Sequence, residues 1–268
     1  MPVAVRLLND PQGEGSRNMA RDAALAAALE SEPWRGPVLR LYGWERATLS
    51  LGHHQDAAEV VDGPAAARLG VVVVRRPTGG RAVLHADELT YAFAAPIEGR
   101  FATLGGTCET IAAALVRAYR ALGLAAVPST LAPPRAYALP RGRAACFAAT
   151  GRHELAFAGR KLAASAQKRG RRAFLQHGSL PLSLDYDLIE ALTGSDVRGS
   201  AVALNEIVAC PVSAAELAAA VGAGFAAELA AELVASRTDE LEDELAAALR
   251  PACEVSLGTS PAPAGRAC

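Results

Sequence analysis

The chain has 268 residues, 51% of them apolar and 21% charged, and a formal net charge of −1. That length predicts one large domain or two small ones with a substantial core. The near-neutral balance gives no global basic field, which argues against nucleic acid as the main partner.

The opening MPVAVRLLNDPQGEG lacks a charged stretch followed by an apolar one, so no secretory signal is expected. Residues 2–8 alternate as a strand and residues 10–15 are turn-rich. Ser16 is the expected cap of a helix to about Ser31, with Met19, Ala23, Ala26 and Leu29 spaced for one face. Residues 38–41 and 47–51 are short strand candidates. The valine run 71–74, between Gly70 and Pro77, predicts a strand buried on both faces. Residues 82–84 and 89–94 predict further strands, and Thr107 is the expected cap of a helix ending at Gly123. Residues 128–143, rich in proline and arginine, read as a long loop. Strand pattern then returns over 153–157, 160–168 and 173–184, with turns at Ala158-Gly159 and Gly170 to Arg172.

The last quarter reads as helical. Ser213 and Glu216 have capping-box spacing before an alanine-rich helix to about Ala235, and Thr238 starts another with Leu241, Leu245 and Leu249 in steps of four. Glu216, Glu228 and Glu232 make a membrane span unlikely for the first of these. The final residues 260–268 are expected to be a disordered tail. The expected division is a catalytic domain over 1–210 and a helical appendage over 211–268. The five cysteines include no CxxC pair and no regular spacing, so neither a disulfide framework nor a metal site is expected, and a reducing compartment is.

Three stretches carry chemistry. In RRPTGGRAVLHADELTY, residues 75–91, a strand turns through Thr78, Gly79 and Gly80, where paired glycines let backbone lie against a ligand. Arg75, Arg76 and Arg81 place positive charge around that turn, suited to a phosphate or carboxylate. The spacing fits neither of the common nucleotide-binding glycine motifs. In GRKLAASAQKRGRRAFLQHG, residues 159–178, an extended chain puts Lys161, Ala163, Ser165 and Gln167 on one face. A lysine among small residues there is a candidate base, since desolvation favours the neutral amine. Lys168, Arg169, Arg171 and Arg172 make a basic turn, usually a solvated tip and otherwise a docking patch for an acidic carrier. Third, Cys146 lies where the proline-rich loop gives way to the first strand of this hairpin, and a nucleophilic cysteine needs a cation or base close by.

Together these stretches closely resemble the biotin/lipoate protein ligase superfamily, in the branch that handles lipoate and octanoate. RRPTGGRAVLH followed by ELTY resembles its central motif, and GRKLAASAQKR with LQHGSL its lysine motif and following strand. LRLYGWERATLSLGHHQD at 39–56 and NMARDAALA at 18–26 resemble its N-terminal signature, so the likeness covers about residues 5–184. It implies a mixed, largely antiparallel sheet flanked by helices, with the acyl chain beside the glycine turn. It implies Lys161 as the functional lysine, and Arg75, Arg76, Thr78, Gly79, Gly80, Arg81, His85, Ser165, Ala166 and His177 as substrate-binding positions.

Within the family, three chemistries compete. ATP-dependent ligases typically have a third glycine where this chain has Arg81. Short octanoyltransferases carry their cysteine just before the HG, where this chain has Ala173 to Gln176. A third group carries a cysteine in an ACF ahead of the lysine motif, matched by Cys146, and amidotransferases share it. The resemblance thus implies a cytoplasmic octanoyltransferase with Cys146 and Lys161 as catalytic pair and no required cofactor; ATP and magnesium enter only for a ligase. Its partners would be octanoylated acyl carrier protein as donor and a lipoyl-domain protein as acceptor, a glycine cleavage H protein or a dehydrogenase subunit. Ala86 stands where the family usually has an acidic or polar residue, and Ala164 where GSAQ has glycine.

Overall fold

The protein is described by a computed structural model over residues 3–124, 129–130 and 154–257. In chain order the elements are β1 (Val3–Gly13), α1 (Gly15–Ser31), β2 (Val38–Trp44), β3 (Thr48–Leu51), α2 (Ala57–Val60), α3 (Gly63–Arg68), β4 (Val72–Arg75), β5 (Val83–His85), β6 (Glu88–Pro96) and α4 (Leu104–Ala121). Then come β7 (Ser129–Thr130), β8 (Glu154–Phe157), β9 (Arg160–Lys161), β10 (Ala164–Arg169), β11 (Ala173–Pro181), α5 (Tyr186–Thr193), α6 (Ala214–Leu229), β12 (Ala231–Ala235) and α7 (Glu240–Cys253).

The main sheet runs β10-β11-β6-β2-β1-β12, antiparallel as far as β2 and parallel from β2 through β1 to β12. A smaller sheet, β4-β3-β5, carries the glycine turn between β4 and β5. This is the mixed, largely antiparallel α/β architecture that the sequence predicts. No helix among the described residues is long and apolar enough to cross a membrane.

The period of two along each strand divides the core. Leu39, Leu41, Tyr91, Phe93 and Ala95 share one cluster with Ile111 and Leu115 of α4 and Leu217 and Phe225 of α6. Val38, Tyr42, Ala92 and Ala94 face the other way and cluster with Met19, Leu25 and Leu29 of α1. Full burial of a side chain such as Phe225 contributes about 1.5–3 kcal/mol. The α4–α6 crossing is close: a Cβ at Gly224 would stand 2.3 Å from the Ala114 carbonyl oxygen.

Several boundaries differ from the expectation. Glu14, rather than Ser16, caps α1, its carboxylate accepting from the Ser16 and Arg17 amides. Thr103, not Thr107, caps α4, and Thr107 is buried inside it. The strand expected over 160–168 is broken at Leu162-Ala163, so Lys161 belongs to β9 and Ser165 and Gln167 to β10. The helix expected to reach Ala235 stops at Leu229: Ala230 takes a left-handed conformation (φ 49°), and the next five residues form β12 on β1. Helix α6 packs into the core and α7 against α1, while Arg6 of β1 holds Glu242 of α7 at 2.6 Å. The segment after 210 is therefore built into the same sheet and core, where the sequence reading set it apart as a helical appendage. Residues 131–143 and the tail from 258 lie outside the described residues.

Candidate functional site

On the α1 side of the main sheet, β2 places Arg40 and Tyr42 and β11 places His177 beneath Asp22 of α1. Asp22 is fully buried; its Oδ1 accepts from Arg40 Nη1 at 2.7 Å, and its Oδ2 from Tyr42 Oη and His177 Nδ1 at 2.8 Å each. An ionised carboxylate only accepts, so His177 donates from Nδ1, and its Nε2 is hydrogen-bonded to the Thr78 hydroxyl at 2.7 Å. Burial alone would raise the Asp22 pKa, but the His177 hydrogen bond, the Arg40 charge and the Tyr42 hydroxyl outweigh it and hold the carboxyl below 3.8. Burial and the Asp22 charge push Tyr42 well above 10, so it stays a phenol. Arg40 is completed by Asp10 at 2.8 Å, the Asn18 side-chain oxygen at 2.8 Å and the Tyr42 ring, 3.9 Å below its guanidinium carbon.

A second relay of the same kind starts from Glu88 at the head of β6. Its carboxylate accepts from Trp44 Nε1, Thr90, Ser179 and His85 Nδ1, the last at 2.8 Å. His85 Nε2 then accepts from Ser50 Oγ at 2.8 Å, and Trp44 stacks on the imidazole with centroids 4.1 Å apart. Ser50 Oγ itself accepts from Arg76 Nη1 at 3.2 Å, which joins the guanidinium to this relay.

Between the two histidines lies a partly open cavity, with about 340 Å³ of unfilled space when the solvent at its mouth is included. Met19, Val83 and Ala164 give it apolar walls, and Arg76, His85, Ser165, Ala166 and His177 also line it. The structure thus brings five of the expected binding residues to one hollow. Thr78 joins through His177. Gly80 adopts φ 93° and faces Ala166, whose Cβ would be 4.0 Å from a Cβ placed on the glycine. Gly79 has open space beside it, and neither the Gly79 nor the Gly80 amide donates a hydrogen bond among the described residues.

The arginines take separate tasks. Arg76, 4% exposed, binds the carbonyls of Ser50, Gly79 and Arg81 and so holds the glycine turn in shape. Arg75 gives Nη1 to the carbonyls of Gly52, His53 and Gln55, bracing the neighbouring turn. Arg81 Nη1 is buried and has no hydrogen-bond partner among the described residues. Lys161 is 1% exposed on β9, and the described residues lining the cavity do not include it. Ala164 lines the cavity, whereas Ala86 is exposed in the β5–β6 turn. Cys146 lies outside the described residues; Cys108, Cys210 and Cys253 are free thiols.

Asp22, Arg40 and Glu88 were missed as site residues when the sequence was read alone. All three sit inside motifs that reading singled out. Their signal was a charge at a position whose neighbours in the period face the core.

A glycine turn beside a partly open, largely apolar hollow, on a mixed sheet of this order, is the arrangement of the lipoate protein ligase class of fold. The backbone resembles the putative lipoate protein ligase Ta0514 of Thermoplasma acidophilum with bound lipoic acid (TM-score 0.77, 23% identity, 93% of this chain and 95% of that one). It equally resembles a lipoate-protein ligase A bound with ATP (TM-score 0.77, 25% identity, 94% and 95% covered). Residues 14–226 match the lipoyl protein ligase A/B catalytic domain, and the chain belongs to that family. It is 38% identical over 239 residues to octanoyltransferase LipM of Exiguobacterium sibiricum, covering 82% of this chain and 85% of the relative. To octanoyltransferase LipM of Bacillus subtilis it is 35% identical over 236 residues, covering 82% and 84%.

Proposed function

We propose that this protein is a cytoplasmic octanoyltransferase that takes an octanoyl group from acyl carrier protein onto Cys146 and passes it to a lysine of a lipoyl-domain protein. The observation that carries this reading is the 38% identity to an octanoyltransferase across 82% of the chain. The cavity between His85 and His177 supports it, because its apolar walls suit an alkyl chain and its polar groups sit at the turn.

In the first step Cys146 Sγ attacks the donor thioester carbonyl. A carbon–sulfur bond to Cys146 forms, the bond to the donor sulfur breaks, and the cysteine's proton ends on the departing thiol. Exchange between thioesters is nearly balanced, so no nucleotide or metal is required. In the second step the acceptor lysine amine attacks, a carbon–nitrogen bond replaces the bond to Sγ, and Lys161 takes the amine proton and returns it to Sγ. Amide formation makes the sequence directional. The Gly79 and Gly80 amides are suited to the tetrahedral oxyanion, where one donor is worth roughly 3 kcal/mol in other enzymes.

The test is transfer itself. Octanoylated acyl carrier protein, an apo lipoyl domain and the enzyme, without ATP, are expected to give a lipoyl domain heavier by one octanoyl group. Product only from free octanoate with ATP would make the protein a ligase.

A further inference from the structure

A second, partly open hollow, with about 600 Å³ of unfilled space when the solvent at its mouth is included, runs beside the first between α1, α7 and β11. Neighbouring residues of the same segments line the two. Arg76 and His177 line the acyl cavity, Pro77 and Leu175 line this groove, and the Thr78–His177 hydrogen bond stands between them. Its floor is apolar, with Ala23, Ala26 and Leu249 beside Leu175.

Charge at its mouth is lopsided. Lys168 lines the rim, is exposed and has no ion pair among the described residues. The one acidic residue among the described lining, Glu30, is engaged elsewhere: its carboxylate accepts from the amides of Arg171, Arg172 and Ala173 at 3.0–3.1 Å. Across the Pro77-Thr78 turn stand His53 and His54, both exposed, their rings 4.8 Å apart edge to face. The His53 amide is bonded to the Thr78 carbonyl at 2.8 Å, which fixes the pair against the turn. Burial, followed by electrostatic repulsion from His54, Lys168 and Arg75, lowers the His53 pKa.

We infer that this groove receives the arm of the acyl donor, with Lys168 and the His53–His54 pair binding the phosphodiester at the arm's protein end. The inference rests on the octanoyltransferase reading, in which the donor thioester sits on a phosphopantetheine thiol. It gives the arm a path: octanoyl chain in the first cavity, thioester carbonyl at the glycine turn, the arm's amides and gem-dimethyl unit along α1, phosphate at Lys168 and the two imidazoles. A phosphate is the group that such a rim selects, because a partly desolvated anion gains a charge-assisted hydrogen bond from each donor.

The experiment compares S-octanoyl-4′-phosphopantetheine with S-octanoylpantetheine, which lacks the phosphate, as donors for the full-length protein. The readout is the ratio of their kcat/KM values for octanoylation of a lipoyl domain. The wild type is expected to favour the phosphorylated donor by about tenfold or more. Lys168→Ala is expected to cut that ratio to below about threefold and Lys168→Arg to restore it, with His53→Ala lowering it less. A wild-type ratio near one overturns the inference, and so does Lys168→Ala slowing both donors in parallel. A rise in the acceptor's KM in Lys168→Ala, with the donor ratio unchanged, would assign the groove to the lipoyl domain instead. Absence of turnover with any thioester donor would sink the octanoyltransferase reading itself, and this inference with it.

Discussion

Asp22 is the residue on which the site's polar architecture turns. It neutralises Arg40 in a fully buried position, sets the tautomer of His177, and through that imidazole fixes the Thr78 hydroxyl at the glycine turn. Removing one partner of a buried ion pair leaves the other charge without compensation, so Asp22→Ala is expected to destabilise the fold by about 3–5 kcal/mol in denaturant unfolding. Asp22→Asn tests the charge more narrowly. A carboxyl whose folded pKa is depressed contributes stability above its unfolded pKa, and that contribution disappears as pH falls through the folded value. Unfolding free energy should therefore decline as pH drops below about 4. Asp22→Asn should be less stable at neutral pH and show a shallower decline; an unchanged acid limb would mean that Asp22 is not ionised in the folded protein. None of these partnerships could be read from order in the chain. Asp22 and His177 are far apart in sequence, and only the packing of α1 on β11 joins them.

At the scale of elements, the glycine turn is shaped by a neighbour as much as by its own sequence. A Cβ on Gly52 would stand 2.0 Å from the Gly80 carbonyl oxygen, while a Cβ on Gly79 meets nothing within 4 Å. Gly52→Ala is therefore expected to lose about 1–3 kcal/mol in thermal or chemical unfolding, and Gly79→Ala under about 1 kcal/mol. Equal losses would show that the two turns do not touch as described. The turn, its paired glycines and its arginines were legible in the sequence because their chemistry is local. What was not legible was the division of labour among the arginines, since carbonyls of another turn engage Arg75. Helix starts shifted for a similar reason. Glu14 has the reach to cap α1 from two residues before Ser16, and Thr103, four residues ahead of Thr107, takes the cap of α4.

Across the whole molecule, the C-terminal quarter completes the fold. Leu217, Val221 and Phe225 are buried at 0–1% exposure in the cluster beneath α4, and β12 covers the edge of β1. A chain ending at residue 210 should lose its cooperative unfolding transition and near-ultraviolet signal, because it bares both the edge strand and that apolar face. A sharp transition in such a truncation would restore the appendage reading. The sequence hid β12 because an alanine-rich run continues across it; helix α6 ends at a left-handed alanine, Ala230, with no glycine or proline to mark the stop. The fold class and glycine turn were readable from motif order, since each motif is contiguous. The seam between α1 and β11, where both hollows lie, is purely tertiary.

The central claim is that the acyl group passes through a thioester on Cys146. Its most direct test is the intact mass of wild type and Cys146→Ala after mixing with octanoylated acyl carrier protein in the absence of ATP. The wild type is expected to carry an adduct of one octanoyl group, reversed by hydroxylamine and missing from the alanine variant. An alanine variant that transfers octanoate as fast as wild type, or an adduct on any other residue, would contradict it.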